Sequence, residues 1–170
     1  MLVESGQAQG AVPTIPEPER LPECERNLDL YLEQIWYHYF FDVPRANIVK
    51  IAYCHPWKRR LGLIRLSLDN TISFIGINAL LRNRQVPEYV LITTIAHELT
   101  HYAHGFGSPL PRIHKHPHAN NIVNRELEKR GLGELAHQCD EWIDKYWFAF
   151  YDIERGSGRK ESPGLMTGGA

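Results

Sequence analysis

Apolar residues recur at helical spacing near the start of the chain, between residues 23 and 41. Leu28, Tyr31, Ile35 and Tyr39 lie three or four positions apart, so their side chains share one face of a helix. Pro44 follows closely and cannot continue a helix. The pattern therefore predicts a first helix over residues 23–41.

The next stretch, residues 47–81, has the alternation that is typical of strands. The runs IVKIAYC and LGLIRLS alternate apolar with polar or basic residues on either side of the basic turn HPWKRR, as in a hairpin. Asp69 and Asn70 indicate a turn, and TISFIGINALL follows as a third strand. These features predict a small, three-stranded and mainly antiparallel sheet.

Helical patterns return after Pro87. Residues 88–104 are predicted to form one helix that Gly105 ends, followed by a loop rich in proline and histidine. Two further helices are predicted over 118–130 and 134–152, with a break that contains glycine between them. The order of helix, strands and helices indicates an α+β fold.

The two ends of the chain differ in composition from the rest. Residues 1–22 combine prolines with Gly, Gln and Glu, and residues 156–170 are rich in Gly and Ser. Such segments have too little apolar surface to offset the entropy of ordering them. We therefore expect a flexible arm over 1–22, a disordered tail over 156–170 and one folded domain over 23–155.

The bulk composition fits a single soluble domain. The 170 residues are 43% hydrophobic and 23% charged, with a formal net charge of −1, which predicts no strong binding of polyanions. No apolar run approaches the roughly 18 residues that cross a bilayer, and no secretory signal is recognisable. We expect a cytoplasmic monomer with no membrane partner. Cys24, Cys54 and Cys139 form no C-x-x-C pair, so neither a disulfide framework nor a zinc ribbon is indicated.

Histidine changes this picture, because six of the nine histidines lie between residues 97 and 118. His97 and His101 belong to the sequence His-Glu-Leu-Thr-His, which fits the H-E-x-x-H signature of zinc peptidases. On the predicted helix both imidazoles share the face opposite the apolar one, one turn apart, and can reach one Zn²⁺. Glu98 projects beside them, where it could act as general base toward a water that the metal activates.

The third ligand of such a site has several candidates. The metzincin pattern fails, because His104 and Gly107 stand where that pattern requires Gly and His. A thermolysin-like (gluzincin) arrangement would take Glu126 from the next helix. The other arrangement takes a histidine from the loop, where the candidates are His114, His116 and His118.

The motif and its surroundings resemble the SprT-like family of zinc metallopeptidases, most strongly across ITTIAHELTHYAHG and more loosely over residues 23–131. These proteins combine H-E-x-x-H on a helix, a loop, and a histidine that opens a helix ending in a pattern like R-E-L. Aligning Arg125-Glu126-Leu127 with that ending places His116 at the ligand position, and matching the Pro-His pair instead selects His118. The resemblance implies a minimal zincin-like domain that binds Zn²⁺ and acts on a protein or peptide. Its better-known branches digest proteins crosslinked to DNA.

Two departures from the family accompany this resemblance. The family often has glycine and an aromatic residue after the ligand histidine, and this chain has neither after His116. The cysteine zinc ribbon that bacterial members often carry is replaced by ELAHQCDEWIDKYWFAFYDIE, whose aromatic stripe we expect to pack in the core. A DNA-linked function is correspondingly less indicated.

The sequence therefore predicts a zinc metallopeptidase in which His97, His101 and His116 bind Zn²⁺ and Glu98 is the general base. We expect the substrate to pair with an edge strand, for which TISFIGI is the candidate. One alternative is a gluzincin-type peptidase with Glu126 as third ligand. Another is a zinc-stabilised protein- or DNA-binding module without catalytic activity, in which four histidines close the metal site.

The basic turn before the second predicted strand allows one more interpretation. Lys58, Arg59 and Arg60 lie next to Trp57 and His55, a combination that could contact a nucleic-acid backbone and stack a base. A short basic turn is more often simply solvated, and no extended basic field supports the nucleic-acid reading. At most a weak contact with DNA is expected.

Overall fold

The computed structural model describes residues 26–157, and within them it confirms the α+β class. The predicted arm and Cys24 lie outside the described residues, as does the predicted tail apart from Gly156 and Ser157, which end the last helix. The helices are α1 (Leu28–Tyr39), α2 (Glu88–Ala103), α3 (Ile122–Lys129), α4 (Gly133–Trp142) and α5 (Phe148–Ser157), and the strands are β1 (Ile48–Tyr53), β2 (Gly62–Leu66) and β3 (Ile72–Ile77). None of the described helices is both long and apolar enough to cross a membrane.

The sheet is mixed, and its strand order is β1-β3-β2. The predicted hairpin between the first two strands is wrong, because β3 lies between them and pairs parallel with β1 and antiparallel with β2. The number of buried residues in each strand explains this order. Ile75, Gly76 and Ile77 of β3 are buried, whereas β1 and β2 carry more exposed positions and occupy the edges.

A hairpin does form between β2 and β3, at the turn that the sequence indicates. The Asp69 carboxylate accepts hydrogen bonds from the hydroxyls of Ser67 and Thr71 and from the Thr71 backbone N–H, and Asn70 takes the left-handed φ of 63°. Since β3 is flanked on both sides, TISFIGI is not an edge strand and that expectation is corrected. The edge strands are β1 and β2, and β2 is the one that pairs antiparallel with β3.

Helix α2 is the most buried helix and contacts α1, α3, α4, β2 and β3. Leu91, Ile95 and Leu99 are at most 1% exposed and lie in the main core with apolar residues of α1 and the sheet. On another side, Leu127 of α3 and Cys139 of α4 are buried in the same cluster. The histidine-bearing helix is therefore held by packing on several sides, which fixes the direction of its side chains.

The helices after α2 begin and end differently from the prediction. Asn120 and Asn121 have positive φ values of 52° and 56°, so the chain forms only a short 3₁₀ turn (Ala119–Asn121) before α3 starts at Ile122. The last predicted helix is divided by a π-helical turn over Ile143–Trp147. Both irregular segments lie next to residues that face the cleft described below.

Candidate metal centre

His97 and His101 face each other across one turn of α2. Their Nε2 atoms are 3.1 Å apart, and His101 is 6% exposed. The spacing of four residues brings the rings together, and the apolar side of α2 points into the core. The pair that the sequence predicts is thus formed.

The third imidazole at this pair belongs to His118. Its ring centroid lies 4.7 Å from that of His101 and 5.5 Å from that of His97. One ligand atom from each of the three residues lies within 4.8 Å of the other two. The described residues therefore contain a group of three histidines that could hold one metal ion.

The structure leaves His116 outside this group, with its side chain exposed, and so replaces it by the alternate, His118, as the third candidate ligand. The alignment that favoured His116 assumed a helix running back from Arg125 to the histidine. The left-handed residues Asn120 and Asn121 interrupt any such helix. The local path of the chain therefore cannot be read from helical spacing, and it is this path that places His118 at the pair.

The two other predicted candidates, His114 and Glu126, both lie near His104, at the C-terminal end of α2. The ring of His114 packs against that of His104, with centroids 4.7 Å apart, and His104 Nε2 lies 3.9 Å from Glu126 Oε2. Glu126 Oε1 accepts a hydrogen bond of 2.9 Å from Arg130 Nε. Neither His114 nor Glu126 belongs to the group of His97, His101 and His118.

Burial keeps the paired histidines neutral. Loss of solvation, together with a smaller effect of the charges of neighbouring histidines, lowers the pKa of His97 to about 4 and that of His101 to about 3. Near pH 7 each ring therefore has a nitrogen lone pair available. Nδ1 of His101 is buried and has no hydrogen-bond partner among the described residues, so no hydrogen bond at this nitrogen fixes the orientation of the ring.

These residues fit a zinc-type cation. Two ligands about 2.0–2.1 Å from a tetrahedral metal are separated by about 3.3 Å, close to the 3.1 Å between the Nε2 atoms of His97 and His101. Neutral imidazole is a ligand that Zn²⁺ and neighbouring transition metals prefer to carboxylate or water. Three imidazoles also match the ligand number of a catalytic zinc site, which keeps its fourth position open.

Glu98 lies beside the histidines and is 5% exposed. Its carboxylate makes no hydrogen bond with any residue in the described range, and burial raises its pKa to about 8 although the charge of Arg60 favours the ionised form. The side chain rests against the start of β2, where a Cβ on Gly62 would come within 2.8 Å of Glu98 Oε1. Such a carboxyl group can exchange a proton near neutral pH.

Gly62 is the residue of this site that the sequence did not single out. The only available signal was a glycine within the strand run LGLIRLS, where glycine has no side chain to contribute to packing. Its role depends on the approach of β2 to α2, which is a tertiary contact. A glycine at this point gives the carboxylate of Glu98 room beside the strand.

The histidines and Glu98 open into a cleft of about 600 Å³. Helix α2 forms its floor, and residues 59–65, which include all of β2 except Leu66, form one wall. The opposite wall consists of His118 and residues of α3, α4 and the π turn, including Leu127, Asp140 and Ile143. A segment of extended chain could therefore lie between β2 and the last helices, across the histidine group.

Comparison of the chain with known proteins yields no match to a family model, to a curated protein or to a solved structure. The resemblance to SprT-like proteins thus rests on the motif and its spacing and stays a prediction. The site is interpreted from its own geometry.

Proposed function

We propose that the protein is a zinc-dependent metallopeptidase in which His97, His101 and His118 hold the metal and Glu98 is the general base. One observation carries this proposal: three imidazoles converge beside a buried carboxyl group at the floor of an open cleft. Each part alone occurs in proteins without activity. Their combination provides a ligand set, a proton acceptor and space for a substrate.

The residues divide the chemistry between them. A bound Zn²⁺ supplies a Lewis acid that polarises a carbonyl oxygen and lowers the pKa of water. Glu98 would accept a proton from the attacking water as its oxygen bonds to the carbonyl carbon, and would then deliver that proton to the amide nitrogen, so that the C–N bond breaks and the amine leaves. The charge of Arg60 favours the ionised form of Glu98 and opposes the effect of burial on its pKa, and a cation held by the histidines would act in the same direction.

Strand β2 supplies a means of holding the substrate. The backbone N–H of Asn78 donates to the carbonyl of Leu61, and that of Ser67 donates to the carbonyl of Ile72. In an antiparallel pair the bonded positions alternate, so the backbone groups of Gly62, Ile64 and Leu66 point away from β3. An extended peptide that pairs with these groups lies along the wall of the cleft, with one of its bonds near Glu98.

The rival interpretations draw less support from the described residues. Glu126 accepts a hydrogen bond from Arg130 and lies next to His104 rather than at the pair of His97 and His101. This position does not favour Glu126 as the third ligand of a gluzincin-type site. A closed four-histidine module would need a fourth imidazole at the group, and the group contains three. The proposed activity uses residues of one chain only, and we expect it in a cytoplasmic monomer.

Glu98→Gln tests the proposal, because the amide is nearly the same size but cannot act as a base. We expect the variant to keep about one zinc per chain and an unchanged melting temperature while cleavage of casein and of fluorogenic peptides falls by at least about 100-fold. The zinc content is measured by atomic absorption after purification in zinc-containing buffer. Full peptidase activity in the variant would overturn the role of Glu98. Wild-type protein that binds no zinc and cleaves no peptide would overturn the function.

A further inference from the structure

Three arginines line the cleft on the side of β2. Arg59, Arg60 and Arg65 are exposed, and the segment that carries them lines the same cleft as Glu98 and His118. Within residues 26–157 none of their guanidinium groups forms an ion pair. We refer to these three residues as the basic wall. Its charge is available to a ligand that enters the cleft.

The backbone of the basic wall is held in place by buried side chains. Asn78 is fully buried, and its side-chain amide donates to the carbonyls of Trp57 (2.7 Å) and Arg60 (2.8 Å). Trp147 is 2% exposed, and its indole N–H donates to the carbonyl of Lys58 at 2.8 Å. A turn fixed in this way presents its arginines with less loss of backbone entropy on binding than a free loop would.

The arginines lie on both sides of the expected position of the reacting bond. Gly62 marks that position, because it contacts Glu98. Arg60 is two residues before it and Arg65 three residues after it, which corresponds to at most about 7 Å and about 11 Å along the chain. A peptide strand paired with β2 advances at the same rate per residue. Arg60 lies close enough for its charge to act on Glu98. Arg65 alternates with Gly62, so it lies on the face of β2 that points away from α2 and neighbours a peptide side chain on that same face.

We propose that the cleft selects acidic peptide segments, and that Arg60 and Arg65 are specificity-determining residues that bind Asp or Glu side chains on either side of the scissile bond. The inference rests on the proposed function and names the substrate class of that site. Guanidinium groups suit this task because their planar fork can bind a carboxylate with two hydrogen bonds.

A nucleic acid fits the same wall less well. The basic wall spans only the β2 side, and the opposite side of the cleft carries Asp140 together with the apolar residues Leu127 and Ile143. A phosphate backbone carries a charge at every nucleotide and is bound by a longer basic stripe, whereas a peptide can place its acidic side chains against the basic wall alone. A polypeptide with acidic and apolar side chains complements both walls.

The test compares two fluorogenic peptides that differ only in having Glu or Gln at the second and third positions on each side of the cleaved bond. With zinc-loaded wild-type protein at low salt we expect kcat/KM to be about 10-fold higher for the acidic peptide, mainly through KM, and the ratio to shrink at 0.5 M NaCl. In the double variant Arg60→Gln/Arg65→Gln the ratio should fall toward one. Lys50→Gln is the matched control, because Lys50 is exposed on β1 at the other edge of the sheet.

Binding separates this inference from the proposed function. Fluorescence anisotropy with the Glu98→Gln protein measures the affinity for the two labelled peptides and for a single-stranded oligonucleotide. If wild type cleaves neither peptide while tighter binding of the acidic peptide depends on Arg60 and Arg65, the peptidase proposal fails and the acidic-segment site stands. Equal binding and cleavage of both peptides would overturn the inference. The inference would also be overturned if the double variant Arg60→Gln/Arg65→Gln weakened binding of the oligonucleotide and left the affinities for both peptides unchanged.

Discussion

Replacing Gly62 by alanine tests how closely the position of Glu98 is set by the neighbouring strand. The new methyl carbon would lie 2.8 Å from Glu98 Oε1 and 2.9 Å from Thr94 Cγ2. Ordinary contacts between such atoms are about 3.5 Å or more, so the Glu98 carboxylate must move by about 0.5–1 Å. The histidines need not move, since neither ring is among the three nearest contacts of the added carbon.

The displacement should act on chemistry more than on folding. A shift of about 1 Å in a catalytic group costs up to about 100-fold in rate. The stability cost should be about 1–3 kcal/mol, because the Glu98 side chain can move aside but Thr94 is buried, branched at Cβ and bonded through its hydroxyl to the Val90 carbonyl. We therefore expect Gly62→Ala to retain its zinc and to lose most of its peptidase activity.

The assay combines zinc content, urea unfolding and peptide cleavage in one preparation. Gly156→Ala is the control, because a Cβ there meets nothing within 4 Å and the substitution lies in α5. It should leave activity unchanged and raise the stability slightly, by up to about 1 kcal/mol. Wild-type activity in Gly62→Ala would refute the reasoning that the carboxylate must occupy its observed place. Loss of zinc would show instead that the strand positions the ligands.

Three further predictions concern the ligand choice, an ion pair and a buried thiol. His118→Ala should lose stoichiometric zinc, whereas His116→Ala should retain it. The reverse result would show that His116 is the third ligand, as the sequence alignment predicts. The hydrogen bond from Arg130 lowers the pKa of Asp42, so the pair contributes stability above pH 3.8 and loses it as the pH falls through the lower folded pKa. Asp42→Asn should accordingly lower the urea midpoint at pH 7 and have little effect at pH 2, and an effect independent of pH would exclude the ion pair as its cause. Burial raises the pKa of Cys139 to about 12, so iodoacetamide at pH 8 should label this residue only after unfolding, as read by peptide mass spectrometry; rapid labelling of the native protein would contradict its burial.

The central helix, α2, could be predicted from the residues within and next to it. The sequence predicts it over residues 88–104 and the structure has Glu88–Ala103, because a periodic apolar face is bounded by Pro87 and Gly105. The facing of His97 and His101 follows from helical geometry alone, and so does the side on which Glu98 projects. These parts of the site depend on residues at most four positions apart.

The remaining features depend on contacts between distant segments. Alternation within β1 and β2 is equally compatible with a hairpin and with separate edge strands, and only the more buried content of β3 decides between them. The choice between His116 and His118 depends on the left-handed conformation of Asn120 and Asn121, since only a continuous helix could have been counted back from Arg125. Pairing order and local backbone reversals are the points at which sequence patterns carry least information.

The hydrogen bond from Trp147 to the carbonyl of Lys58 also gives the cleft an order of assembly. The two residues are 89 positions apart, and Trp147 follows α2 and His118 along the chain. Chains emerge from the ribosome with the N-terminal part first, at about 5–20 residues per second. All three histidines are therefore synthesised before the indole, which adds to the two hydrogen bonds by which Asn78 already holds this turn. The last hydrogen-bond partner of the turn is thus synthesised some seconds after the three candidate metal ligands.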